Sequence, residues 1–174
     1  MTTPAFPRSL LLLPVLALTA CGYGLVGRTS NLPSDIQRIF VSPLENQTTR
    51  SQVELLLTEA ITNELVTRRR FTVVRTRSEA DAVLSGAVTA FAVRPVTFDA
   101  DGRAEEYEIA VRADMLFKRS DAAEVIWQRD QYLFRDNYEL DLESVEYFDP
   151  EDATIQLVAR RFAETLVIDL LEGF

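Results

Sequence analysis

Between Glu106 and Lys118 the sequence alternates: Tyr107, Ile109, Val111, Ala113, Met115 and Phe117 are interleaved with Glu106, Glu108, Arg112, Asp114 and Lys118. A period of two sends the first set to one face of a strand and the second set to the other. One face must be buried, and the other is left for water or a partner. A strand cannot bury a face by itself, so the remaining chain has to provide sheet neighbours and a cover.

The neighbours are legible on both sides. Ala82 to Phe98 is a long, mostly apolar and β-branched stretch, interrupted by Gly86 and stopped near Pro95. Asp99-Ala100-Asp101-Gly102 forms the turn into the alternating strand, and Ser120 to Ala123 forms the next. Val125 to Phe134 is a further strand carrying Trp127, Tyr132 and Phe134 on both faces, which predicts contacts beyond its own core. Upstream, Gln37-Arg38-Ile39-Phe40-Val41 is a first strand closed by Ser42-Pro43, and Phe71 to Arg75 is a short one.

Two helices supply the cover. Ser51 opens the first, with Glu54 completing a capping box. Val53, Leu56, Leu57, Ala60, Ile61 and Leu65 share one face, and Arg68-Arg69-Arg70 ends it where cations favour the dipole. The second starts with Asp149 as cap and Pro150 at its first position, buries Ile155, Val158, Ala159, Phe162, Leu166 and Leu170, and ends at Gly173. The predicted class is α+β: two amphipathic helices on one face of a single mixed, mostly antiparallel sheet of four to five strands, forming one domain over residues 36–174. The outer face of that sheet stays open.

The N-terminus adds an address. Met1 to Ser9 carries only Arg8 as a charge, and Leu10 to Leu18 is an apolar run containing Pro14. A bilayer-spanning helix needs about 20 apolar residues, so this run is a signal-peptide centre rather than a membrane span. It exits through Leu18-Thr19-Ala20-Cys21, which resembles the lipobox of bacterial lipoproteins. Residues 1–20 are therefore read as a lipoprotein signal peptide and Cys21 as the lipidation site. Residues 21–35, rich in glycine and small polar residues, read as a lipidated flexible tether, able to reach roughly 50 Å when extended.

Charge and residue usage remove most chemistries. Without residues 1–20 the chain has 17 basic and 27 acidic residues, a net charge of −10, which argues against nucleic acid as a partner. The single cysteine allows no intramolecular disulfide, and the absence of histidine removes histidine triads and His-containing zinc sites. Gly22, Gly24 and Gly27 have the spacing of a dinucleotide loop but lack the strand and helix that such a loop requires. Asp99 begins a calcium-like run, yet Ala110 stands where the bidentate glutamate belongs, so a hairpin turn is the better account. Eight acidic residues and no basic one lie from Asp136 to Asp152, read as a solvated loop and helix start rather than a cation site. Glu105 and Glu106 are adjacent on a strand and point to opposite faces, so they form no acid–base pair. No catalytic residue, metal site or cofactor is expected, and the chain is read as non-enzymatic.

Five segments carry a family resemblance: Cys21-Gly22-Tyr23-Gly24-Leu25, Ile39-Phe40-Val41-Ser42-Pro43-Leu44-Glu45-Asn46, the helix after it, Glu79-Ala80-Asp81-Ala82-Val83-Leu84-Ser85-Gly86, and Gly102-Arg103-Ala104-Glu105-Glu106-Tyr107. In this order they resemble the LptE family of lipopolysaccharide-assembly lipoproteins. The resemblance implies a two-helix, mixed-sheet sandwich, lipid-anchored in the outer membrane and facing the periplasm. It also implies a plug and assembly partner for a large LptD-like β-barrel translocon that passes lipopolysaccharide to the cell surface. Gly22 after the cysteine fits outer-membrane sorting. Val41 to Asn46 also resembles curli-secretion and TolB-like domains, which leaves open a structural lipoprotein of another envelope secretion machine that self-associates. Lipopolysaccharide carries phosphates, which arginine grips through paired hydrogen bonds. Arg94 and Arg103, flanking the predicted hairpin tip from Pro95 to Gly102, are the candidate ligand-binding residues.

Overall fold

The computed structural model describes residues 32–122, 124–139 and 150–172. The predicted signal peptide, Cys21, the tether up to residue 31, residues 140–149 with the Asp149 cap, and the Gly173 stop lie outside the described residues. The chain runs β1 (Arg38–Val41), β2 (Glu45–Asn46), α1 (Val53–Arg68), β3 (Thr72–Val73), β4 (Ala82–Phe98), β5 (Ala104–Arg119), β6 (Val125–Glu139) and α2 (Pro150–Glu172). A 3-10 turn at Arg77–Glu79 leads into β4.

The class is α+β as the sequence predicts, but the sheet has six strands rather than four or five. Its order is β3-β1-β4-β5-β6, with β2 also paired to β4. The pairings β1–β3, β1–β4 and β2–β4 are parallel, whereas β4–β5 and β5–β6 are antiparallel, so the sheet is mixed rather than mostly antiparallel. The difference has a simple origin. β2 is two residues long, too short to show a period, and the crossover through α1 makes β3, the short strand expected within Phe71 to Arg75, run with β1.

The alternation of β5 is realised: Ile109, Val111, Ala113, Met115 and Phe117 are all buried, and the residues between them are half-buried or exposed. Above them, α1 contributes Val53, Leu57, Ile61 and Leu65, a ridge with four-residue spacing, while Leu56 and Ala60 are only partly buried against the core. The predicted stripe of α2 is buried throughout, joined by Ala163 and Val167. Phe162 meets Tyr132 and Phe134 edge-on, each at 5.8 Å between ring centroids. Leu32, at the end of the predicted tether, is buried in the same core, so the packed fold begins earlier than residue 36.

Four local expectations are corrected. Ser51 caps nothing: α1 begins after Gln52, which is left-handed at φ 66° and makes no side-chain cap bond. Glu54 instead accepts the Asn46 side-chain amide at 2.7 Å, and that same amide donates to the Arg50 carbonyl. The loop before the helix thus takes the role assigned to a capping box. Gly86 does not interrupt β4. It is the point where β5 comes closest, and a Cβ there would stand 2.4 Å from the Asp114 carbonyl oxygen and 2.7 Å from Met115 Sδ. Nor does Pro95 stop β4, which runs on to Phe98. Bulges follow at Pro95/Thr97 and Thr97/Phe98, and β1 and β2 pair with β4 only between Ala82 and Val88. Among the described residues the far half of β4 therefore has a free edge, where a residue without an N–H is tolerated.

The fourth correction concerns the aromatics of β6, which lie on one face. Trp127 pairs with Phe117, Tyr132 with Ala113 and Phe134 with Val111, all on the buried side of β5. An extra residue between Tyr132 and Arg129 resets the parity, with Gln131 left-handed at φ 54° and its N–H donating to Asp114 Oδ1 at 2.7 Å. The strand also runs five residues past Phe134.

Candidate functional site

The two predicted ligand arginines sit on the β4–β5 hairpin. Asp99 organises its tip: one carboxylate oxygen accepts the N–H groups of Asp101 (2.9 Å) and Arg103 (2.7 Å). Gly102 takes φ 77°, and Gly102 N–H reaches the Asp99 carbonyl at 3.1 Å. The expected hairpin turn is therefore present, and the Asp99 carboxylate is engaged with backbone. Phe98 pairs with Ala104 at the end of the ladder, and Arg94 pairs with Glu108 further down. Four residues of strand, about 13 Å, separate Arg94 from Phe98 at the tip, so the hairpin spreads its two cations along its length.

Each has an acidic neighbour. Arg94 donates to Glu108 Oε1 through Nη2 (2.6 Å) and Nε (2.8 Å), with the arginine side chain 65% exposed. Arg103 lies 3.5 Å from Asp101 Oδ2 at the tip. Neither is buried, and an incoming anion would exchange with these carboxylates rather than with water alone.

β5 turns Glu106, Glu108, Ala110, Arg112, Asp114, Leu116 and Lys118 toward the open face, and β6 adds Leu133, Arg135 and Asn137 by register. Its carboxylates are held within the sheet: Glu106 accepts Thr97 Oγ1 (2.8 Å) and Asn137 Nδ2 (3.0 Å), Glu108 holds Arg94, and Asp114 holds the bulge. Sequence reasoning overlooked Arg135. It falls one residue past the predicted end of β6, and only the bulge at Gln131 brings it to the same face as Arg112.

Elsewhere the ionisable groups fasten elements together. Asp81 binds the Arg38 guanidinium at 2.6 Å and the N–H groups of Arg38 (2.8 Å) and Gln37 (3.1 Å). The Arg38 side chain first, then those two N–H groups, hold the Asp81 carboxyl down to about 2. Arg119 bridges Asp35 and Glu124, and its bond to Asp35 pushes the guanidinium upward and the carboxyl downward. The Tyr132 hydroxyl donates to Asp169 at 2.8 Å, and burial, then that bond, pushes its pKa up. Asp136, at the edge of the acidic run, is paired with Arg161 at 2.6 Å, while residues 140–149 lie outside the described residues. Among the described residues, no cluster of three or more acidic, cysteine or histidine side chains could hold a metal, and no helix is long and apolar enough to cross a membrane.

An α+β layer with both helices on one sheet face and polar residues ordered on the other is a scaffold for presenting a surface. Comparison with known proteins gives that scaffold a family. The model of the LptE family, described as lipopolysaccharide-assembly, matches residues 36–170, and the chain belongs to that family. Its members are non-enzymatic lipoproteins, in agreement with the reading from residue usage. No curated protein matches by sequence. Among solved structures, a hypothetical protein from Chlamydia trachomatis shares the fold at TM-score 0.54 and 10% identity, covering 80% of this chain and 97% of that one. Uncharacterized lipoprotein B from Nitrosomonas europaea aligns at TM-score 0.48 and 16% identity, covering 87% and 88%. Rare lipoprotein B from Shewanella oneidensis aligns at 0.44 and 14%, covering 77% and 92%.

Proposed function

We propose that this chain is lipid-anchored through Cys21 in the outer membrane, faces the periplasm, and serves as plug and assembly partner of an LptD-like β-barrel that delivers lipopolysaccharide to the surface. The observation that carries this reading is the lipopolysaccharide-assembly family match across nearly the whole folded region, residues 36–170. The single-sided architecture supports it, because a plug needs a rigid body with a face left over for its partner. The hairpin supports it too: β4 and β5 extend past their buried portions, and Arg94 and Arg103 are cations on that extension that could exchange Glu108 and Asp101 for lipopolysaccharide phosphates.

Isolation of the tagged chain from envelopes in mild detergent tests the partnership. The expected result is one large β-barrel protein in a one-to-one ratio. A homo-oligomer without any barrel would overturn the plug in favour of a self-associating secretion component.

A further inference from the structure

Between Thr67 and Ser78 stand Arg68, Arg69, Arg70, Arg75 and Arg77, with no acidic residue among them. This run is out of keeping with a chain of 18 basic and 27 acidic residues. The dipole of α1 favours a cation in its last turn, which accounts for Arg68 but not for Arg75 and Arg77 beyond β3. Arg68 is tied to Glu64, and Arg70 lies over the Phe71 ring at 5.7 Å. Arg69, Arg75 and Arg77 are exposed, and among the described residues no acid pairs with them. The acids around this corner are committed to other cations: Asp81 to Arg38, and Asp35 and Glu124 to Arg119, while the field of Glu79 falls on Arg38.

The fold sets these arginines beside its own entrance. The Thr72 N–H donates to the Gln37 carbonyl at 2.8 Å and the Val74 N–H to the Ile39 carbonyl at 2.9 Å, so their segment runs along the stretch that enters β1. Just upstream Leu32 is buried in the core, and Cys21 lies eleven residues before it, a span of at most about 40 Å. β3 is the outermost strand on this side of the sheet. Val66, 55% exposed, adds an apolar side chain one turn before Arg69 and Arg70. The hairpin tip is at the far end, because β4 starts beside Ile39 and runs 17 residues, roughly 50 Å, before reaching it. We infer that Arg69, Arg70, Arg75 and Arg77 seat this corner of the domain on an anionic membrane surface beside the lipid anchor, which aims the hairpin away from that surface. The partner is an extended surface because the cations are strung along a sheet edge rather than gathered round a pocket. A tether this short keeps the corner at high local concentration, so a few cations suffice, and the acidic remainder of the chain is repelled by the same surface. The inference rests on the proposed anchor at Cys21.

The full-length lipidated chain would be reconstituted into vesicles of phosphatidylcholine alone or with phosphatidylglycerol, each containing a lipid with a nitroxide on its headgroup. A fluorophore on Thr67→Cys reports the arginine corner, and one on Ala100→Cys reports the hairpin tip. With phosphatidylglycerol the corner label should be quenched and the tip label should not, and 0.5 M salt, roughly a 4 Å screening length, should remove the quenching. Each arginine should change the docked population about fivefold. Arg69→Glu with Arg75→Glu and Arg77→Glu should therefore lower quenching to the neutral-vesicle value with the melting temperature unchanged. Arg112→Glu with Arg135→Glu and Arg160→Glu, the same change in net charge elsewhere, should leave it as in the native chain. Native quenching in the first triple variant, equal quenching in neutral and anionic vesicles, or a tip label quenched more than the corner label would each overturn the docking. So would a first triple variant that keeps its quenching but loses a barrel partner, because the arginines would then be a protein contact. Flotation with neutral vesicles reads the anchor separately, so a chain that lacks it is told apart from one whose arginines do not dock.

Discussion

Asp81 shows how much a single residue of the recognisable segments is asked to do. Its carboxylate holds the start of β1 through Gln37 and Arg38, and its carbonyl accepts the Ser120 N–H from the turn after β5. Gly86 and Asn46 are likewise fastenings, one for the approach of β5 and one for the loop before α1. The family segments were legible as a pattern, but these roles were not, because the partners of Asp81 and Gly86 lie tens of residues away in the chain and the Asn46 bonds depend on the shape of the loop before α1. The pH dependence follows from the sign of the Asp81 shift. A carboxyl depressed to about 2 in the fold contributes stability fully at pH above its ordinary range near 4, and loses it as pH falls through about 2. Asp81→Asn should cost about 1–2 kcal/mol near neutral pH, with solvent screening of Arg38 keeping it modest. Denaturant midpoints of the two proteins should converge as pH drops from 4 to 2, and a constant gap across that range would count against the assignment.

At the scale of elements, the helices and β5 were legible because a long periodic pattern averages over local irregularity. The failures sit where one residue changes the parity or where an element is two residues long. β6 is the clearest case. Its aromatics look two-sided only when the strand is counted without the extra residue at Gln131. That residue occupies a left-handed conformation that costs a non-glycine residue about 1–2 kcal/mol. Gln131→Gly should therefore keep or slightly raise the melting temperature. Deleting Gln131 should rotate one end of β6 to the wrong face, withdrawing Tyr132 and Phe134 from Phe162 or else Trp127 from the core. A large loss of melting temperature and of near-ultraviolet aromatic dichroism is expected, and a deletion variant with native values would show that the bulge is dispensable.

For the molecule as a whole, residue usage limited the chemistry before any fold was known, since a chain without histidine and with one cysteine has few routes to catalysis. The open sheet face was also foreseeable, because two helices cover only one side. What could not be read was which charges share that face, a matter of register between β5 and β6. The anchor remains a proposal resting on Leu18-Thr19-Ala20-Cys21. Cys21→Ala should abolish labelling by palmitate and release the chain from membranes, given that each buried methylene contributes about 0.8 kcal/mol to anchoring. Continued palmitate incorporation by the variant would place the lipid on a residue other than Cys21.

The free edge of β4 has a consequence for crowding. A sheet margin grows by templating, one copy laying its strand against the next, and a long bare margin is where fibres start. From Ala90 onward this margin carries the charged Arg94 and then Pro95, a residue with no hydrogen to donate, followed by kinks that break the ladder's spacing. A newcomer aligned with β4 would find its ladder broken within a few residues. The hairpin can therefore protrude from the body at high local concentration and remain a poor seed for polymerisation.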